Sequence, residues 1–552
     1  MRARFLLHDF LADSAAASPD KIALVCDRKR YTYRELDEQA NALAHALAAR
    51  GIRRGDRVIV FADNSAEAAI AFWAVLKADA VVSIVHPQTK VDKLAYLLTD
   101  CRARALITDQ RLESVYAPAA RRSLHLRAVI GVGLDAPARA RLTGLPGLAA
   151  WDEVVRSGER RPPPRRAIDI DLAAIIYTSG STGEPKGVML THQNMLAATA
   201  SISEYLEICR YEVILGVLPL AFDYGLYQMI MAFAAGARLV LARSFAYPIE
   251  VMRMVVEERV TGFPGVPTIF ATLLGLGTPF DLSGVRYVTN TAAALPLKHV
   301  PELRARFPNA KLYSMYGLTE CKRCTYLPPE DLDRKPGSVG IAIPNTELWV
   351  IDEHGRRVRP GEIGELVIRG ATVMQGYWEK PEATARKLRP GLLPGERVLH
   401  TGDLCRLDED GYLYFVSRMD EVIKSRGEKV PPAEVESTLL AIAGVREAAV
   451  IGLPDDLLGS AIKAFVVLEP GASLDEATIQ RECRARLESF KVPTHVELCA
   501  TLPRSGNGKI SKTELARTQT QAQTQPQAQT QTQAQTQPQA QAQTQAHPQE
   551  DR

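Results

Sequence analysis

Residues 177–188 read Tyr177-Thr-Ser-Gly-Ser-Thr-Gly-Glu-Pro-Lys-Gly-Val188, small and hydroxyl side chains around three glycines, closed by Lys186. The apolar run Leu172-Ala-Ala-Ile-Ile176 leads directly into it. A buried strand that empties into such a loop suits a polyphosphate. Glycines let the backbone approach closely and take φ > 0, amides and hydroxyls donate, and one cation balances charge. The spacing is not that of a Walker A loop: Pro185 separates the loop from Lys186, and Val188 to Leu190 reads as extended chain, not a helix start. A flexible Ser/Gly linker is the plainer reading, but a linker would be neither preceded by a buried strand nor followed by Lys-Gly-Val-Met-Leu.

Four further clusters carry groups of interest. In Ser314-Met-Tyr-Gly-Leu-Thr-Glu320, at the end of a predicted strand (311–314), Tyr316 and Gly317 can stack on and approach a flat base. Thr319 and Glu320 offer a hydroxyl and a hard carboxylate for phosphate and Mg2+. His400-Thr-Gly-Asp-Leu404 sets Asp403 on a tight turn, where a carboxylate can hold a ribose diol. Ser417-Arg-Met-Asp-Glu-Val-Ile-Lys-Ser-Arg-Gly427 is charged and lies where the composition changes, and Pro503-Arg-Ser-Gly-Asn-Gly-Lys-Ile510 holds Lys509 on a glycine loop. Singly, these read as ordinary turns, a helix cap at Glu320, a boundary salt bridge at Arg418 and a surface lysine. Together, in this order and spacing, they do not.

The elements that must position these groups alternate in type. Strands are predicted at 57–61, 80–85 and 105–108, with helices at 65–77 and 91–99 between them, a rhythm of βαβ units and a parallel sheet. It resumes after the glycine loop with a strand at 213–219, a helix at 225–235 and a strand at 238–241. From Glu347 short alternating strands (348–351, 364–368, 413–416) predict a small β subdomain. After Asp420 the pattern is α+β: helix 432–440, strands 448–451 and 464–468, and mainly helix over 474–488. The expected fold is α/β, with a large N-terminal domain (1–419) of two parallel-sheet α/β subdomains plus the small β subdomain, and a small mobile α+β C-terminal domain (420–516). The remainder, 517–552, is rich in Gln, Thr, Ala and Pro, has nothing to bury, and is expected to be disordered.

At 552 residues the chain needs more than one core. Its net charge of +3 gives no electrostatic case for nucleic acid, and no apolar run reaches the length of a membrane span. The N-terminus meets Asp9 and Asp13 too soon for a signal sequence. Of eight scattered cysteines only Cys321-x-x-Cys324 is closely spaced, which is weak zinc evidence and reads more plainly as two thiols of a reducing compartment. The expected location is cytoplasmic.

The five clusters resemble the ANL superfamily of acyl- and aryl-CoA synthetases, adenylation domains of nonribosomal peptide synthetases and firefly-type luciferases. The resemblance covers roughly residues 8–516 and takes in Arg30-Tyr-Thr-Tyr-Arg-Glu-Leu36, Gly265-Val-Pro-Thr268 and Gly370-Ala-Thr-Val-Met-Gln-Gly-Tyr377. It implies an AMP-forming acid–thiol ligase working in two steps: a carboxylate attacks the α-phosphorus of Mg·ATP, then a thiol takes the acyl group and releases AMP. Carried onto this sequence, Thr178, Ser179, Gly180, Ser181, Thr182, Gly183 and Lys186 would hold the outer phosphates. Tyr316 would stack on adenine, Thr319 would contact the α-phosphate, and Glu320 would ligate Mg2+. Asp403 would bind the ribose with Arg418 beside it, and Lys509 would bridge the substrate carboxylate and the α-phosphate. Asp420 matches a hinge about which the C-terminal domain rotates between steps, exchanging Lys509 for the thiol-channel loop at Lys424, Arg426 and Gly427. Three departures stand out: Ser417 and Asp79 where glycines are usual, and Asn290-Thr-Ala-Ala-Ala294 where many relatives carry paired glycines.

The acid is less legible. Phe222, Asp223, Tyr224, Phe263, Asn290 and Thr291 are candidate pocket lining. In amino-acid-activating relatives an aspartate matching Asp223 holds the substrate ammonium; the alternative is a cap on the helix starting near Gly225. Tyr224-Gly225 departs from the continuation usual in peptide synthetases and favours the cap. No phosphopantetheine-attachment segment appears, so the thiol comes from CoA or a separate carrier protein. Three functions are therefore weighed: a thioester-forming ligase, an amino-acid adenylating enzyme loading a peptidyl carrier protein, and a non-catalytic nucleotide-binding relative, which the presence of Lys186, Glu320, Asp403 and Lys509 opposes.

Overall fold

The computed structural model describes residues 4–179, 184–277, 280–425, 428–455, 459–504 and 509–524. Two large sheets dominate the N-terminal part. In the first, Leu172–Ser179, Val81–Val85, Arg57–Phe61, Ala105–Asp109, Ala128–Val132 and Ala149–Ala150 lie parallel in that order. Pro185–Thr191 then adds antiparallel to Leu172–Ser179, and Gly376–Tyr377 antiparallel to Pro185–Thr191. In the second, six parallel strands run from Lys311–Tyr316 through Tyr287–Asn290, Gly262–Gly265, Val213–Gly216 and Arg238–Leu241 to Ile22–Cys26. Apolar side chains explain the arrangement: Val58, Ile59, Val60 and Phe61 are all fully buried, as strands covered on both faces require.

Helices Ala66–Lys77 and Asp223–Ala235 meet between the sheets, where Trp73 stacks on Phe233 with ring centroids 5.6 Å apart. The first is started by Ser65, whose side chain accepts from the Ala68 amide. The first turn of the second helix is tied to the end of strand Tyr287–Asn290 through Tyr224, whose hydroxyl bonds to Thr289. A five-stranded antiparallel sheet (Thr346–Ile351, Gly364–Gly370, Arg397–Leu407, Leu388–Pro390 and Leu413–Arg418) carries Asp403 and Arg418.

Beyond Asp420 the hairpin Ile423–Ser425/Glu428–Val430, a three-stranded sheet (Val445–Asp455, Gly459–Leu468, His495–Leu498) and helices Pro432–Leu440 and Glu476–Arg484 bury cores of their own. The second helix is shorter than the 474–488 expected from sequence. A correction concerns the tail. Residues 517–524 continue the helix Lys512–Thr524, because Leu515 is buried against Phe465 and Val467, and Gln519 accepts from Lys463 Nζ at 2.6 Å. The rest of the tail, from 525, lies outside the described residues. Among the described residues no helix is long and apolar enough to cross a membrane.

Candidate active site

The glycine-rich segment joins two antiparallel strands: Thr178 pairs with Lys186 and Ser179 with Pro185. The extended chain after Lys186 therefore turns back along its own feeder strand. Gly180, Ser181, Thr182 and Gly183 lie outside the described residues. The stem is braced by a residue that the sequence reading did not single out. Asp100 accepts from Tyr177 Oη at 2.6 Å and from Tyr96 Oη at 3.2 Å, and its carbonyl takes the Trp378 indole N–H. Lys186 Nζ stands 5.7 Å from the centre of the Tyr377 ring. Asp79, where glycine is usual, takes φ +56° and accepts the Arg166 and Ala167 amides at 3.0 and 3.1 Å, so its side chain performs a task that glycine cannot.

Tyr316, Glu320, Asp403 and Arg418 converge from two sheets. Tyr316 Oη donates to Asp403 Oδ2, and Arg418 Nη1 lies 3.0 Å from Asp403 Oδ1. That approach is an ion pair without a directed hydrogen bond, so Oδ1 is buried yet accepts none. Burial pushes the Asp403 carboxyl above its ordinary range, with Arg418 opposing the shift. A buried carboxylate with spare acceptor capacity fits a donor pair such as a ribose diol. Glu320 accepts from Tyr377 Oη through Oε1 at 2.7 Å, and among the described residues its other oxygen has no hydrogen-bond partner. One hard oxygen beside the glycine-rich hairpin fits Mg2+, which takes most of its shell from water and phosphate. Thr319 precedes Glu320 on the same turn, half-buried. Ser417 is buried in its strand with no left-handed backbone angle, so the usual glycine is not needed there.

A buried charged cluster packs against the start of helix Asp223–Ala235. Asp223 is its first residue rather than its cap, and the N-cap, Phe222, makes no side-chain capping bond. The Asp223 carboxylate instead accepts the Tyr224 amide at 2.8 Å and pairs with Lys322 Nζ at 3.4 Å. The carboxylate thus serves a first-turn amide and an ion pair together. Lys322, 2 % exposed at its side chain, also sits 4.3 Å from the Tyr227 ring centre; burial pulls its ammonium down to about 7, with Asp223 pulling the other way. Next to it Arg323, 2 % exposed, lies 5.1 Å from the Tyr224 ring centre, and its Nε and Nη1 have no hydrogen-bond partner among the described residues. A cation–π contact contributes about 0.5–2 kcal/mol, against an effective cost of several kcal/mol for desolvating an ion, so the ring alone does not offset the burial.

Tyr224 Oη bonds to Thr289 at the end of strand Tyr287–Asn290. Asn290 and Thr291 are buried beside it, and Ala292 takes φ +75° where a glycine would be unstrained. Phe222 stacks on His86 at 5.3 Å. Phe263 does not join this group: it is fully buried against Phe270 and Phe307 as core. Lys322 and Arg323 went unread because, in sequence, they sit inside a Cys-x-x-Cys spacing. Those two thiols are buried with their sulfurs 3.1 Å apart.

On the C-terminal side Asp420 is exposed on the turn between strands Leu413–Arg418 and Ile423–Ser425, 3.4 Å from Arg418 Nε. Lys424 is exposed on the second of these strands, and Lys509 is exposed just before the Arg504–Ile510 bridge. Arg426 and Gly427 lie outside the described residues.

This combination of a paired-sheet α/β domain, a carboxylate-bearing β subdomain and a small C-terminal domain is that of an AMP-forming acid–thiol ligase. The chain belongs to the AMP-binding enzyme family: the family model matches residues 11–378 and the AMP-binding enzyme C-terminal domain matches 434–509. It is 33% identical to a long-chain-fatty-acid–CoA ligase of Bacillus subtilis, over 93% of this chain and 95% of that one. It is 31% identical to a segment of tyrocidine synthase 2 of Brevibacillus parabrevis, over 93% of this chain but 14% of that protein. Among solved structures, ATP-bound MatB from Rhodopseudomonas palustris matches with a TM-score of 0.82 and 29% identity, over 93% of this chain and 98% of that one. The ANL expectation and the α/β fold class are both met.

Proposed function

We propose that this chain joins a carboxylic acid to CoA by way of an acyl-adenylate. In the first step a substrate carboxylate oxygen attacks the α-phosphorus of ATP, and the bond to the β-phosphate oxygen breaks, leaving acyl-AMP and pyrophosphate. In the second the sulfur of CoA attacks the acyl carbon, the bond to AMP breaks, and the thiol proton is released. The observation that carries this reading is the convergence of Tyr316, Glu320, Asp403 and Arg418 beside the hairpin that bears Thr178, Ser179 and Lys186.

In this reading Asp403 holds the ribose and Tyr316 the adenine, with their mutual hydrogen bond orienting both. Thr178, Ser179, the segment 180–183 and Lys186 hold the outer phosphates, and Thr319 the α-phosphate. Glu320, oriented by Tyr377, holds Mg2+, which when bound neutralises charge on the phosphates. Lys509 stabilises charge at the reacting oxygens during adenylation. Rotation about Asp420 then replaces it with the loop at Lys424, Arg426 and Gly427. CoA is favoured over a carrier protein because the relatives matched over nearly their whole length are CoA ligases. Eight cysteines without a disulfide support a cytoplasmic setting.

A second reading, amino-acid adenylation with Asp223 on the amine and transfer to a carrier protein, draws on the tyrocidine synthase segment. The Lys322 ammonium already beside Asp223 weighs against it. Pyrophosphate exchange across fatty, aryl and amino acids, followed by CoA and carrier-protein acceptance, tests both. Acid-dependent exchange with CoA thioester formation is expected. Exchange with amino acids alone, lost in Asp223→Ala, would select the second reading, and no exchange with any acid would remove both.

A further inference from the structure

Arg323 buries two guanidinium nitrogens for which no protein acceptor exists among the described residues. Its position is set by the chain itself. The Cys324 amide donates to the Tyr316 carbonyl at 3.0 Å, closing the turn, and Gly317 lies so close beneath that a Cβ there would meet the Lys322 carbonyl at 2.5 Å and Arg323 Cα at 2.9 Å. The guanidinium is thereby laid over Tyr224, in the first turn of the helix that begins at Asp223.

Asp223 is the carboxylate beside these two basic side chains, and it faces Lys322, so among the described residues no carboxylate stands within ion-pairing distance of Arg323. A guanidinium keeps its proton in proteins, so it cannot escape the cost by neutralising. Its planar fork matches a carboxylate bidentately. An ammonium-bearing acid would add a second uncompensated cation, whereas an anionic group would bring the charges to balance.

Resting on the ligase reading above, we infer that Arg323 receives a second carboxylate of the acid substrate, so that the enzyme activates a short dicarboxylic acid. Thr319 and Arg323 stand four positions apart in the chain. Four residues of chain allow at most about 14 Å between their Cα atoms, so Arg323 stays in the neighbourhood of the proposed α-phosphate contact.

The test is pyrophosphate exchange on the full chain with a length series of dicarboxylic acids, their monomethyl esters and monocarboxylic acids. For the best diacid, kcat/KM is expected to exceed that of its monomethyl ester by at least tenfold. Arg323→Met should bring that ratio close to one, and Arg323→Lys should keep it above one. Equal use of diacid and ester by the wild type, or a ratio unchanged in Arg323→Met, would overturn the inference while leaving the ligase reading intact. Exchange with no acid at all would remove both. If Arg323→Met does not fold, thermal shift of the wild type decides: a rise in melting temperature with the diacid and not its ester supports the assignment, and equal shifts overturn it.

Discussion

The Tyr377 hydroxyl donates to Glu320 Oε1 at 2.7 Å, joining the strand Gly376–Tyr377 beside the glycine-rich hairpin to the turn after Tyr316. The bond fixes which oxygen of Glu320 stays available and in what direction. Tyr377→Phe keeps the ring and removes only this donor. Partners that orient a metal ligand are worth about 10–100-fold in metal affinity. The variant is therefore expected to need about tenfold more Mg2+ for half-maximal pyrophosphate exchange at saturating ATP. An unchanged Mg2+ curve would reduce Tyr377 to packing.

The Asp223–Lys322 pair supplies a second measurement. Asp223→Ala leaves the buried Lys322 amine with only ring faces for company among the described residues, at a cost of about 1–3 kcal/mol for orphaning a buried donor. Asp223→Ala/Lys322→Met removes both partners and is expected to recover most of that loss in urea unfolding. Additive losses in the double variant would show that the two groups are not coupled in the folded protein.

Acid stability has a traceable source in His192. Its Nδ1 accepts the Leu7 amide at 3.0 Å, and burial lowers its pKa from the ordinary 6.5 to about 4, with Asp171, Asp9 and Asp169 opposing the shift and Arg165 adding to it. The unfolded chain therefore takes up a proton below about pH 6.5 that the native protein refuses until about pH 4. Stability is present above that window and falls as pH drops through it, by about 3 kcal/mol in all. His8, packed edge-on to His192, is lowered in the same sense. His192→Gln should flatten the fall of the urea midpoint between pH 7 and 4.5, and an identical slope would assign the acid sensitivity elsewhere.

The role proposed for Lys509 separates the two half-reactions. Lys509→Ala is expected to slow adenylation by about 100-fold or more, the effect of losing one charge-stabilising donor. It should spare thioester formation from supplied acyl-adenylate. Equal loss of both steps would contradict a role confined to the first.

The helix and strand pattern was legible because buried strands such as Arg57–Phe61 and capped helices such as Ala66–Lys77 declare themselves within a few residues. Asp79 and Ser417 looked like departures from glycine, and the structure gives each a reason: a left-handed aspartate that bonds two amides, and a serine in an ordinary strand. The start of the tail was misread because a Gln/Thr/Ala run has no apolar face to announce a helix, yet Leu515 anchors one and Gln519 extends the contact. Phe263 was read as pocket lining on type alone, and aromatic type does not distinguish core from cleft.

What the sequence determined by itself was the class of chemistry. Groups that hold a nucleotide need particular residue types at short fixed spacing, so the glycine loop, Glu320, Asp403 and Lys509 can be read in place. What only the tertiary structure decided was which charges face one another at the start of helix Asp223–Ala235. Asp223 could have capped a helix or held an amine. It pairs with Lys322 because Gly317 lets the following turn fold back over the helix that begins at Asp223, and that closure buries Arg323 Nε and Nη1 with no hydrogen-bond partner among the described residues. Such pairings depend on how distant segments pack, and no local spacing encodes them.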